Sequence, residues 1–171
     1  MFVNTRPLTA ITAGLSLLFV YALSPMTQAL PDDREQPINI SADKAQKNDK
    51  KGIMIYQGDV VITQGSIKMT GDKITIYNNN GDIEKIIAEG RPARFKQKPD
   101  LQSEDVIARG NTLNYNLNKE SLLLEGDALL KQDGRTTNSN KITYDMKSTV
   151  VNAGDSSSNG RVEMVIKPSK K

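Results

Sequence analysis

The 171-residue chain contains no cysteine, no histidine and no tryptophan. Without cysteine it can form no disulfide, and it offers no thiolate as nucleophile or soft metal ligand. Without histidine it lacks the side chain that most often serves as general base near neutral pH and as metal ligand. Carboxylates are plentiful enough to supply an acid–base pair for glycoside hydrolysis. Yet Asp59, Asp72 and Asp127 each follow a glycine, where aspartate reads as a turn former, and Asp32-Asp33 and Glu104-Asp105 are adjacent pairs in loop-like sequence. There is no Gly-x-x-x-x-Gly-Lys-Ser/Thr nucleotide loop, no EF-hand loop and no Gly-Gly-x-Gly-x-Asp calcium tandem. Beyond residue 29, Phe95 is the sole phenylalanine, which leaves little for a sugar-stacking platform. The expectation is a protein that is not an enzyme and takes no cofactor or metal.

What is present begins with a leader. Arg6 gives a positive start, Ala10 to Leu23 an apolar stretch, and Thr27-Gln28-Ala29 a small-x-small site, so residues 1–29 read as a secretory signal peptide. Residues 30–171 then form one domain by length. Export without cysteine suits a bacterial periplasm. The net charge of +3 falls to +2 when Arg6 leaves with the leader. Lysines are spread among acidic residues, and no basic run interleaves with aromatics, so a nucleic-acid partner is not expected. Leu30 to Pro37 reads as a polar, mobile lead-in, 157–160 as part of a flexible Ser/Gly loop and 168–171 as a charged tail.

The stretch Gln57 to Tyr77 sets the pattern for the rest. Val60-Val61-Ile62-Thr63, Ile67-Lys68-Met69 and Lys73-Ile74-Thr75-Ile76-Tyr77 read as three short strands separated by glycine turns. Apolar residues alternate with polar ones at period 2, and β-branched residues dominate. No stretch carries the i, i+3, i+4 periodicity of an amphipathic helix. The glycine signal returns at Gly90, Gly126 and Gly160, at intervals of 32, 36 and 34 residues, and the tyrosine-ended strand returns at Tyr115 and Tyr144. Such a period points to stacked supersecondary units, too irregular for a strict solenoid. Asn80-Gly81 predicts a tight type I′ hairpin. The fold class is all-β and antiparallel.

Alternation assigns one apolar face. It collects Ile38 and Ile40; Val60 and Ile62; Ile67 and Met69; Ile74 and Ile76; Ala93 and Phe95; Leu113, Tyr115 and Leu117; Leu122 and Leu124; Ile142, Tyr144 and Met146; and Val162, Met164 and Ile166. Alternation alone does not separate a packed core from a lipid-lined groove. Ile38–Ile40 at one end and Val162–Ile166 at the other are candidate free edges for strand addition.

Three blocks in fixed order carry a resemblance: Gln57-Gly58-Asp59-Val60 through Gln64-Gly65, Gly90-Arg91-Pro92-Ala93-Arg94-Phe95, and Ser139-Asn140-Lys141-Ile142-Thr143-Tyr144, preceded by Pro37 to Lys44. Together they resemble the OstA-like family of periplasmic lipopolysaccharide-transport proteins, over Pro37 to about Ile166. The resemblance implies a V-shaped, slightly twisted β-jellyroll with open ends and a hydrophobic groove. It also implies head-to-tail stacking into a homo-oligomer between the inner-membrane transporter components and the outer-membrane translocon. Lipid A acyl chains of lipopolysaccharide would travel inside. The family's groove positions fall on Ile38, Ile40, Phe95, Tyr115 and Leu117. Two readings from other classes stay open: a ligand-free structural scaffold or filament protein of the periplasm, and a carbohydrate-active β-domain.

Overall fold

The computed structural model describes residues 33–154 and 160–167. The leader expected at 1–29, most of the 157–160 loop and the 168–171 tail lie outside the described residues. Ten strands run β1 Ile38–Ser41, β2 Lys44–Asn48, β3 Ile53–Gln64, β4 Ile67–Asn79, β5 Asp82–Gln97, β6 Val106–Asn116, β7 Ser121–Gln132, β8 Arg135–Asp145, β9 Val150–Ala153 and β10 Glu163–Ile166. All pairings are antiparallel, in the order β1-β3-β4-β5-β6-β7-β8-β10, with β2 also on β3 and β9 also on β8.

The three short strands read in Gln57–Tyr77 are two long ones. Gly65 and Ser66 form the turn between them, while Gly58-Asp59 and Gly71-Asp72 are irregularities inside β3 and β4. The same shift in register recurs in β5 at Gly90–Pro92, in β6 at Gly110-Asn111 and in β7 at Gly126-Asp127. Paired strands carry these irregularities opposite one another, so they form a single row crossing the sheet. Bulges bend a strand and sharpen its twist. Gly58 and Asp59 take φ of +82° and +41°, and Gly126 and Asp127 take +73° and +48°, the left-handed region that glycine and aspartate enter most cheaply. The repeat of about 34 residues is therefore one antiparallel pair of strands, outward and back, each crossing the bend once. The Arg91-Pro92 peptide on this row is cis.

The bend doubles the sheet into two layers. Layer one holds β1, the C-terminal halves of β3, β5 and β7, the N-terminal halves of β4, β6 and β8, and β10. Layer two holds β2, the complementary halves and β9. The doubling is visible in contacts. Tyr115 is paired with Ile86, nine residues along β5 from Phe95. That distance is about 30 Å of straight strand, yet the Phe95 and Tyr115 rings lie 5.8 Å apart. Gln132 Nε2 likewise donates to the Tyr144 hydroxyl at 3.2 Å, although Tyr144 pairs with Leu122 at the far end of β7.

The tight turns follow local chemistry. Asn80 and Gly81 both take positive φ between the paired Asn79 and Asp82, as expected for the type I′ hairpin, and Asp133-Gly134 repeats the arrangement. The expected mobile lead-in is not what residues 33–36 form. Asp33–Glu35 make a 3-10 turn, and Gln36 N donates to Asp33 O.

Candidate functional site

The two layers face each other across an aliphatic interior. Val60, Ile62, Ile67, Met69, Phe95 and Leu130 come from layer one, and Ile74, Ile76, Ile86, Leu113, Leu122, Leu124 and Ile142 from layer two, all at most 3 % exposed. Tyr115 and Tyr144 are buried with them, and Ile38, Ile40, Leu117 and Met146 pack against this cluster half-buried. Every residue placed on the apolar face by alternation within β1 to β8 thus lies on the inner side. Their packing is that of a protein interior.

Alternation missed Ile86, Ala88, Val106, Ala108, Ala128 and Leu130, which are equally buried. Ile86 and Ile87 are adjacent apolar residues, so period 2 does not decide which of them faces inward, and alanine is too small to stand out on either face. Thr137 and Ser139 also face inward on β8, where a hydrophobicity pattern cannot find them.

The interior is not sealed along its length. The bend closes one side, and the hairpin turns of the two layers form the two lips of the other. Residues 33–36 lie across these lips. Asp33 accepts from Ser66 N, from Ser66 Oγ at 2.8 Å and from Gln97 Nε2 at 2.9 Å, all in layer one. Gln64 Nε2 donates to the carbonyls of Arg34 and Gln36, each at 3.2 Å. On the layer-two lip, Arg34 Nη1 pairs with Glu120 Oε1 at 3.0 Å. This polar strap divides the opening into two clefts. One, of about 190 Å³, reaches Ile67, Tyr115, Tyr144 and Met146. The other, of about 560 Å³, reaches Ile38, Ile83 and Leu117. Nothing in the composition of residues 33–36 announces this role; only the folded partners reveal it.

A larger cleft of about 1230 Å³ lies on the outer side of the bend. Its walls mix Asp72, Glu89 and Asp127 with Lys73, Arg91 and Arg109, so it is no place for an apolar ligand. Among the described residues no group of three or more carboxylates could hold a metal ion.

The free edges also have definite positions. β1 and β2 border the sheet at one end, both on β3; β9 and β10 border it at the other, both on β8. On β10 and just before it, Val162, Met164, Val165 and Ile166 are 45–62 % exposed. Met164 pairs with the inward-facing Thr137 and so continues the inner face to the rim.

Comparison with known proteins agrees with this architecture. Residues 39–150 match the family model described as LptA/(LptD N-terminal domain) LPS transport protein. The chain is 42% identical to the lipopolysaccharide export system protein LptH of Pseudomonas aeruginosa, over 99% of this chain and 98% of that protein. It is 32% identical to the lipopolysaccharide export system protein LptA of Escherichia coli K12, over 92% of this chain and 88% of that one. The crystal structure of LptH, the LptA-homologous periplasmic component of the lipopolysaccharide transport device of Pseudomonas aeruginosa, superposes with a TM-score of 0.74 at 40% identity, covering 81% of this chain and all of that one.

Proposed function

This chain belongs to the family of LptA and LptD N-terminal-domain LPS transport proteins, and on that premise we propose that it carries lipopolysaccharide across the periplasm with the lipid A acyl chains held between its two layers. An acyl chain of about 12 methylenes left in water costs on the order of 10 kcal/mol. A lipid with several such chains therefore needs a continuous apolar lining for the whole crossing. The observation that carries the reading is the long aliphatic inner face, which includes the polar Thr137 and Ser139 on β8. It runs from Ile38 and Ile40 at one rim, through Val60, Ile62, Ile67, Met69, Ile74, Ile76, Phe95, Leu113, Tyr115, Leu117, Leu122, Leu124, Ile142 and Tyr144, to Met164 at the other. Aliphatic contact is non-directional, so such a lining accepts chains without fixing their shape. The sugar and phosphate head stays in water at the lips. Entry requires the layers to part where residues 33–36 hold them. The chain contributes a passage and no chemistry, and movement is driven by other components of the transport system.

Strand addition supplies the bridge. The outer edge of β10 pairs with the β1–β2 edge of a second copy, end to end, so that the inner faces of successive protomers join. The terminal protomers meet the inner-membrane transporter and the outer-membrane translocon in the same way. Alternate residues of an edge strand direct their N–H outward, so of Met164→Pro and Val165→Pro one removes a donor from the free edge and the other a donor from the β8 ladder. One of the pair is expected to reduce the oligomer seen by light scattering while the protomer stays folded. Unchanged size in both discards the edge.

The fully packed interior gives the scaffold reading one specific support, and a single experiment separates the two. Photocrosslinking residues placed at Phe95 and Tyr115 are expected to capture lipopolysaccharide. Those placed at the outward-facing Asn114 and Thr143 are expected not to. No capture at Phe95 or Tyr115 on folded protein returns the interior to an ordinary core and leaves the scaffold.

A further inference from the structure

The outer face of layer one carries a charge pattern that neither the interior nor the edges use. In register across β4, β5, β6 and β7, Lys68 is opposite Lys96, Lys96 opposite Ile107, and Ile107 opposite Lys131. One step toward the bend, Thr70 is opposite Arg94, Arg94 opposite Arg109, and Arg109 opposite Leu129. Strands lie about 4.8 Å apart, and residues two apart on one strand about 7 Å, so five cations share a small lattice. Like charges directly opposite in an antiparallel ladder are unfavourable. Only Lys96 is neutralised, by Asp105 at 2.8 Å; Lys68, Arg94, Arg109 and Lys131 have no carboxylate partner among the described residues. Between the cations lies a shallow apolar hollow of about 300 Å³ beside Ile107, which is itself 40 % exposed.

The other layer shows that the fold does not demand this. At the equivalent outward positions, Lys73 pairs with Glu89 at 2.7 Å and Lys141 with Glu125 at 3.4 Å. A repulsive lattice on one layer alone is therefore not imposed by the fold.

We propose that the outer face of layer one docks on an anionic phospholipid membrane surface, with Lys68, Arg94, Lys96, Arg109 and Lys131 over lipid phosphates and Ile107 set between head groups. The observations favour a membrane over an acidic protein. A lattice of flexible cations matches a fluid array of phosphates without any fixed register, and the exposed Ile107 in the apolar hollow between them suits the space between lipid head groups, whereas a rigid acidic partner would have to set its carboxylates against these particular cations. Each basic residue near a charged bilayer adds to attraction, which decays within a Debye length. The face lies outside the two layers, so the inference stands apart from the proposed transport path.

The test is co-sedimentation of the protein purified from the periplasm with vesicles of phosphatidylglycerol mixed with phosphatidylcholine, against phosphatidylcholine alone. Binding to the anionic vesicles only, falling steeply as salt rises, is expected. Lys68→Glu with Arg109→Glu should lower that binding at least tenfold, and Ile107→Ser should lower it several-fold with the salt dependence kept. Lys50→Glu with Lys119→Glu makes the same change in net charge on the turns of layer two and is expected to keep most of the binding. Circular dichroism and melting of each variant verify folding. Equal binding to both vesicle types, no binding to either, or equal losses in the two charge-reversed pairs would overturn the proposal.

Discussion

On the outer face of layer two, Lys73 stands opposite Glu89 and Lys141 opposite Glu125; on the outer face of layer one, Lys68 stands opposite Lys96 and Arg94 opposite Arg109. The two layers are halves of the same strands, folded about one row of bulges, and their inner faces are alike in aliphatic character and burial. The difference outside teaches that the interior and the surface answer to separate constraints. The inner sides must match each other to pack. Each outer side is free to carry whatever its surroundings reward, at a cost of a few tenths of a kcal/mol per cross-strand pair.

The comparison breaks most readily through what the layers share. Leu124→Ala in layer two and Leu130→Ala in layer one each empty a fully buried site and should cost about 2–5 kcal/mol. Urea denaturation should show one transition in both variants. A second transition, or a negligible cost in one layer, would mean that the layers do not form a common core. Next in size is the bend. A Cβ added at Gly71 would meet Glu89 O at 2.7 Å, a backbone atom that cannot swing aside, so Gly71→Ala should cost about 1–3 kcal/mol in the same measurement.

The strap tests whether the lips are held together. Asp33→Ala removes the acceptor for Ser66 and Gln97 and should lower stability by about 1 kcal/mol. Hydrogen exchange should quicken at the turns of both layers. Faster exchange confined to residues 33–36 would show that the strap rests on the lips without holding them. The smallest effects sharpen the contrast between the outer faces. Arg109→Glu places opposite charges across from Arg94 and should stabilise the fold by about 0.2–1 kcal/mol at low salt. Glu89→Lys places like charges across from Lys73 and should destabilise it by a similar amount. Both shifts should shrink as salt is added, because exposed charges are screened; two shifts of the same sign would discard the charge account.

Much of the fold was legible because a β-face writes itself at period 2. Val60 and Ile62, Ile74 and Ile76, and Leu122 and Leu124 were assigned inward from alternation, and they are. Glycine was legible as punctuation but ambiguous in kind. Gly65 and Gly81 end strands, whereas Gly58, Gly71 and Gly126 bend them, and a positive φ serves a hairpin turn and a bulge equally well. Only the partner strand, by pairing on both sides of a bulge with a shift in register, separates the two. The tyrosines were separable by alternation. Tyr115 and Tyr144 fall in the apolar set and point inward, while Tyr77, next to Ile76 on the other face, lies outside under Lys85 Nζ at 4.2 Å.

The sequence by itself determined an all-β antiparallel chain, the identity of its apolar face and a family resemblance, since each depends on residues near one another along the strand. The tertiary structure alone decided the rest. It doubled the sheet so that one face became an interior. It laid Asp33 and Arg34 across the lips of that interior, against side chains 30 to 86 residues away. It also gathered lysines and arginines that look evenly scattered along the chain onto one outer face. Strand register brings distant residues side by side, and no local pattern records which side chain will stand opposite which.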